Sequence, residues 1–217
     1  MRGWITLSLL LALSSNAGSS CSVNELDCRT EDASCDPMAL QAVLSGESGL
    51  LSSNQGQVII FASNALHPGN RGNRSITSFS CTSERTTYKP GLSCTNDMAF
   101  LSYPGDALVN APGNHGVPAG LPIVSETSTQ IETSWAALFD GNIAISLSGA
   151  GVATVGTRYW TGTDFDGSTT ADHCNSWGDG TAGFNGMAGL RTSTDSTWIN
   201  TESVTCDNTR HFLCVCW

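Results

Sequence analysis

The chain has 217 residues, 40% hydrophobic and 13% charged, enough to bury one sizeable core and too few for two large domains. Nineteen acidic residues against nine basic ones, only one of them a lysine, give a formal net charge of −10. No basic stripe is present for nucleic-acid phosphates, heparin-like polyanions or anionic headgroups, so those partners are not expected and the acidity reads as solubility.

Residues 1–20, MRGWITLSLLLALSSNAGSS, have a basic Arg2, an apolar run from Trp4 to Leu13, and small residues Ser15 and Ala17 at signal-peptidase spacing. The run is too short to span a bilayer. A signal peptide and export are therefore expected. Export makes the nine cysteines legible, because oxidising compartments let disulfides persist. Nine is odd, and the first, Cys21, stands where a bacterial lipoprotein would be acylated. Gly18 occupies the place a lipobox gives to a large aliphatic residue, so lipidation at Cys21 and ordinary cleavage after Ala17 both stay open.

Residues 21–56 mix acidic residues, Ser and Gly with one apolar patch, Met38 to Leu51. They read as a tether with a small disulfide loop between Cys28 and Cys35 and a short packed helix, or as a plain linker. From Gln57 the character changes. QVIIFAS is a buried first strand by its β-branched and aromatic content. A Gly/Asn-rich turn region follows, then a short helix beginning in the Phe79 to Arg85 stretch around Cys81. DMAFLSYP and TSWAALFDG are compact apolar runs bounded by turn formers, NIAISLSG alternates like a half-buried strand, and RHFLCVCW reads as a final buried strand. Short strands joined by long Gly/Ser/Thr/Asn loops predict a β-rich α+β domain over 57–217 whose loops need covalent support.

The C-terminal spacing is more specific. Cys174 and Trp177 form C-x-x-W, followed by Gly183, Gly186 and Gly189, then Trp198, then Cys206 and Cys214. That order resembles the C-type lectin-like fold, its endostatin-like branch, and most closely a domain family of unknown function in spirochaete-type bacterial surface lipoproteins. The resemblance implies pairing of Cys174 with Cys206 and of Cys81 with Cys214. Cys94 and Cys216 then remain and are paired by elimination. Residues 214 and 216 of a strand share a face, which gives Cys216 access to the same neighbourhood. The rival reading, a zinc cluster of Cys214, Cys216 and His211, lacks C-x-x-C spacing.

Sugar-binding members of the resembled fold hold calcium through Glu-Pro-Asn or Gln-Pro-Asp loops and a Trp-Asn-Asp strand. This chain has no such tripeptide before Cys206 and reads Trp198-Ile199-Asn200, so no cofactor and no metal are expected, calcium included. The candidate ligand-binding residues are Trp160, Asp164, Asp166, Trp177, Trp198 and Asn200. The tryptophans read either as an aromatic platform or as core beneath the loops, and Asp166-Gly167 reads as a polar turn. No catalytic residue is assigned: His67, His115, His173 and His211 fall in no signature, and His173, beside Cys174, is read as a loop residue. Asn73-Arg74-Ser75 is a glycosylation sequon that matters only in a eukaryotic secretory pathway.

The sequence thus leads to an exported, non-enzymatic binding or adhesion module for a protein or neutral glycan, at a bacterial outer membrane, cell surface or periplasm, with Cys21 as its only membrane link. The alternative is a structural subunit of an envelope, sheath or filament assembly.

Overall fold

The computed structural model describes residues 56–152 and 156–217, which leaves Cys21, the Cys28 and Cys35 loop and the Met38 to Leu51 patch outside the described residues. The described chain is α+β, an eight-stranded mixed sheet with few helices and three disulfides. In chain order the strands are β1 (Val58–Ala62), β2 (Asp97–Ala99), β3 (Ile123–Ser125), β4 (Gln130–Glu132), β5 (Arg158–Trp160), β6 (Asn185–Leu190), β7 (Glu202–Thr205) and β8 (His211–Cys216).

The last strand is the hub. Strand β8 lies antiparallel to β1 and to β2 through its C-terminal half, and parallel to β5 through His211 and Phe212. Every residue of β1 and β8 is buried, as their unbroken apolar sequences require of strands covered on both faces. Alternation then sorts the side chains. Val58, Ile60, Leu213 and Val215 face one core, with Phe100, Trp135 and Trp198. Ile59, Phe61, Phe212, Cys214 and Cys216 face the other, with Trp160, Trp177 and the remaining paired cysteines.

Helix α1 (Arg74–Tyr88) covers the second core. Asn73 caps it by accepting from the Ile76 amide at 3.1 Å, so the sequon side chain is already engaged. It runs five residues further toward the N-terminus than the sequence suggested, because the cap, not the apolar content, sets its start. Its buried residues are Thr77 and Cys81, an unusually polar inner face. What fastens it is specific: the Cys81–Cys214 bond, and a two-pronged pair in which Arg85 Nε and Nη2 donate to the Asp97 carboxylate at 2.8 and 2.9 Å. A short second helix, α2 (Ala111–His115), starts with proline in its first turn and stops at Gly116, whose φ is 70°.

The opening strand QVIIFAS and the closing strand in RHFLCVCW are present as β1 and β8. The stretch NIAISLSG is not a strand. It touches the segment after β6 through an isolated bridge, Asn142 to Asp195, and through the Ser148 amide donating to the Arg191 carbonyl at 3.0 Å, while bends and turns fill the rest. Ile143 and Leu147 are buried while Ile145 is only partly so, a spacing of four that turns satisfy and a period-two strand does not.

Cys81–Cys214, Cys94–Cys216 and Cys174–Cys206 are the three disulfides, so the two C-terminal strand cysteines are both bonded and His211 has other partners. The His211 ring Nδ1 lies 2.7 Å from the Ser63 carbonyl oxygen. Among the described residues no His, Cys, Asp and Glu group of metal-binding size occurs.

Candidate functional site

The candidate residues separate into core and surface. Trp160, Trp177 and Trp198 are all wholly buried. They do not form one platform, because the sheet divides them. Trp160 meets Trp177 edge-on at 5.9 Å between ring centroids, whereas Trp198 lies in the opposite core against Phe100. Trp160 Nε1 donates to the His67 carbonyl and Trp177 Nε1 to the Ser102 carbonyl, at 2.9 and 2.8 Å. Both indoles thus have internal partners and act as packing anchors.

Around Trp177 the backbone is bound tightly. The helical turn Cys174–Trp177 is left-handed, with φ of 49°, 51°, 58° and 59° at four successive non-glycine residues. Each such residue costs roughly 1–2 kcal/mol. The turn is held by the Cys174–Cys206 bond, by burial of Trp177, by His173 Nδ1 accepting from the Ser176 amide at 2.9 Å, and by the Gly72 amide donating to the Trp177 carbonyl at 2.7 Å. His173 therefore serves as a local cap.

Asp164, Asp166 and Asn200 are at the surface and partly together. Asn200 Nδ2 donates to Asp164 Oδ1 at 2.7 Å, so the side-chain amide just ahead of β7 and the loop carboxylate meet. Asp164 Oδ1 also accepts from the Phe165 amide, and Asp166 Oδ1 from the Ser168 amide. Hydrogen bonds from Ser168 hold the Asp166 carboxyl below its usual range. Gly167 turns the chain with φ 81°, and a Cβ there would press on Phe139 at 2.7 Å and Val109 at 2.8 Å. The loop is thus pinned onto the body. Its tip exposes Phe165, half accessible to solvent, beside the ionised Asp166, with exposed Val109 next to the turn.

The basic side chains of the described residues are committed internally. Arg74 pairs with Asp106, Arg85 with Asp97, Lys89 with Glu126, and Arg158 and Arg210 with Glu202. Arg191 donates to the Val152 carbonyl, and Arg71 lies 4.6 Å from the Phe212 ring centroid.

Two clusters of ionisable side chains near the start of α1 were not singled out in the sequence. Asp106 accepts from Arg74 at 2.7 Å and from Asn114 at 3.0 Å, with His115 Nε2 2.9 Å away. Burial works against its ionisation, but hydrogen bonds from Asn114, Arg74 and His115 outweigh that and hold its pKa below the usual carboxylate value. His67 is packed on Phe212 at 5.3 Å and is pushed down to about 4 by burial, then by Arg71 and His211. Each cluster assembles residues distant in sequence.

A surface depression of about 390 Å³ opens where α1 ends, lined by Tyr88, Lys89, Gly91, Leu92 and Glu126. The presence of just one lysine in the sequence was the signal available for it, but nothing local linked that lysine to Glu126.

No family model matches the chain, and no curated protein matches it either.

Proposed function

We propose that the chain is an exported, non-enzymatic recognition module of C-type lectin-like, endostatin-like type, whose long loops bind a protein or a neutral glycan without calcium. The signal-like N-terminus supports export, and Cys21 supplies the route to a lipid anchor on a bacterial envelope. The order of Cys174, Trp177, the glycines, Cys206 and Cys214 supports the lectin-like reading. The observation that carries recognition is the Asp164 to Ser168 loop. It is fixed by hydrogen bonds and by the seat of Gly167, yet it presents Phe165 and Asp166 outward. A rigid body that displays a loop in one conformation loses little entropy on binding.

A second reading, a structural subunit of an envelope, sheath or filament, is favoured by the outer side of α1. There Ile76 and Phe79 are 57% and 72% exposed and belong to neither core among the described residues.

One experiment separates the two readings. The chain is recovered from native envelope under non-reducing conditions and its intact mass is measured. Recovery as a surface-accessible monomer that then binds on glycan or host-protein arrays supports recognition. A stoichiometric complex with neighbouring envelope proteins supports the structural reading, and the mass decides acylation at Cys21.

A further inference from the structure

Glu202 answers two cations at once. Arg158 Nε and Arg210 Nη2 both lie 2.7 Å from its Oε1, so those two nitrogens are at most twice that distance apart. Elsewhere Arg74 with Asp106, Arg85 with Asp97 and Lys89 with Glu126 match one arginine or lysine to one carboxylate. Here one positive charge is left over, in a chain of net charge −10.

The fold enforces this crowding. Arg158 opens β5, Glu202 opens β7, and Arg210 directly precedes β8. The backbones of Arg210 and His67 exchange hydrogen bonds at 2.8 and 2.9 Å, and the Arg210 guanidinium carbon lies 5.6 Å from the Trp160 ring centroid. Arg158 and Trp160 alternate onto one face of β5, while Trp160 and Glu202 both stand opposite Ala188 of β6. All three charged side chains therefore share the Trp160 side of the sheet. Burial lowers the Arg210 pKa, Glu202 raises it and Arg158 lowers it again, with the net shift downward. Two like charges on a fixed frame are a cost that a bound anion relieves.

The donors for an anion are open. Arg74 and Arg85 each spend three nitrogens on oxygen acceptors of the chain. Among the described residues, by contrast, Nη1 and Nη2 of Arg158 and Nη1 of Arg210 have no hydrogen-bond partner and are not enclosed. The Arg158 side chain is 38% exposed and that of Arg210 17%. A planar guanidinium presents paired N–H donors that fit the two oxygens of a carboxylate. A single surplus charge suits a monoanion, and Glu202 beside it opposes a phosphate dianion.

Strand β7 indicates whose carboxylate it is. It ends the sheet, paired with β6 alone among the described residues, and none of its four residues is buried. An open sheet edge takes an extended peptide through main-chain hydrogen bonds. Trp160 is wholly buried, so its ring offers no face to a sugar.

We propose that Arg158 and Arg210, positioned by Glu202, bind an aspartate or glutamate side chain of an extended protein segment lying along β7. The site uses no residue of the Asp164 to Ser168 loop.

The test is a titration of the ¹⁵N-labelled full chain, read at the arginine Nε–H signals. The probe is acetyl-Gly-Glu-Gly amide, with acetyl-Gly-Gln-Gly amide, methyl glucuronide and inorganic phosphate for comparison. A saturable shift of the Arg158 and Arg210 signals with the glutamate peptide is expected, and weaker binding of the other three. Arg158→Gln leaves Arg210 and Glu202 as a one-to-one pair, and its affinity should fall about tenfold or more with an unchanged amide spectrum. The comparison of glutamate with glutamine peptide holds whether or not that variant folds. Phe165→Ser should titrate as wild type, and loss of binding there would move the carboxylate to the loop and overturn the site. No saturable shift, equal affinity for the glutamine peptide, wild-type affinity in folded Arg158→Gln, or tighter binding of glucuronide would each overturn the proposal.

Discussion

Gly69 lies directly on Cys174 across the fold: a Cβ at residue 69 would come to 2.3 Å from the Cys174 sulfur and 2.7 Å from Cys206 Cβ. The Gly69 amide also donates to the Cys206 carbonyl at 2.7 Å. The loop leading into α1 is therefore packed against the disulfide that holds the left-handed turn at Trp177. Only a residue without a side chain fits there. Gly69→Ala should destabilise by about 1–3 kcal/mol, the usual cost of overpacking, measured by denaturant unfolding. A wild-type midpoint would show that the disulfide can move aside.

The Cys81–Cys214 bond closes a loop of sequence separation 133, against 32 for Cys174–Cys206. With Cys94–Cys216 intact, however, Cys81–Cys214 closes a cycle of only about 15 residues through that neighbouring bond, so on chain entropy alone it is worth about 0.7 kcal/mol less than Cys174–Cys206. The double substitution Cys174→Ala with Cys206→Ala should therefore lower stability by more than Cys81→Ala with Cys214→Ala. Loss of the shorter bond carries its own signature, since it releases the left-handed turn. Increased hydrogen exchange at Asn175 and Ser176 should accompany it, and an exchange pattern unchanged there would contradict the role given to that bond.

Asp97 has a side chain only 2% exposed and depends on the Arg85 fork. Arg85→Ala would leave that carboxylate buried without its counter-charge, at a cost of about 3 kcal/mol or more. The partner change Asp97→Asn in the same chain should recover part of the loss. Equal instability of the single and double variants would mean that packing, not charge, is what Arg85 contributes.

The pH dependence follows from two groups whose folded pKa values are depressed. His67 falls from 6.5 to about 4, so between those values the unfolded chain takes up a proton that the folded chain refuses. Stability is therefore intact above pH 6.5 and declines as the pH falls toward 4. Asp106, held below its usual value, adds a loss at lower pH as its carboxylate protonates. His67→Asn should flatten the decline between 6.5 and 4 in thermal melts taken across that range. An unaltered slope would place the acid sensitivity elsewhere.

Much of this frame was legible in the sequence. The continuous apolar content of Val58 to Ala62 and of His211 to Cys216 marks strands buried on both faces, and those strands are the centre of the sheet. The positive-φ turn at Asp166-Gly167 follows from local chemistry. Features that depend on distant partners were not legible. The start of α1 rests on the Asn73 cap, its far end is held by the Arg85 to Asp97 pair, and its inner face is Thr77 and Cys81 instead of an apolar stripe. Trp198 parts from Trp160 and Trp177 because the turn ahead of β7 lies on the other side of the sheet, a fact of topology. Lys89 and Glu126 come together only when the turn after β3 folds beside the end of α1.

Under the proposed function, recognition rests on the Asp164 to Ser168 loop. Phe165 is exposed and, among the described residues, Asp166 is bound within its own turn, so Phe165→Ser with Asp166→Asn should leave stability within about 0.5 kcal/mol of wild type. The direct measurement is binding of wild-type and doubly substituted chains to the ligands captured from glycan and host-protein arrays. A folded variant that loses at least tenfold in affinity is the predicted result, and a folded variant that binds as wild type would contradict the account.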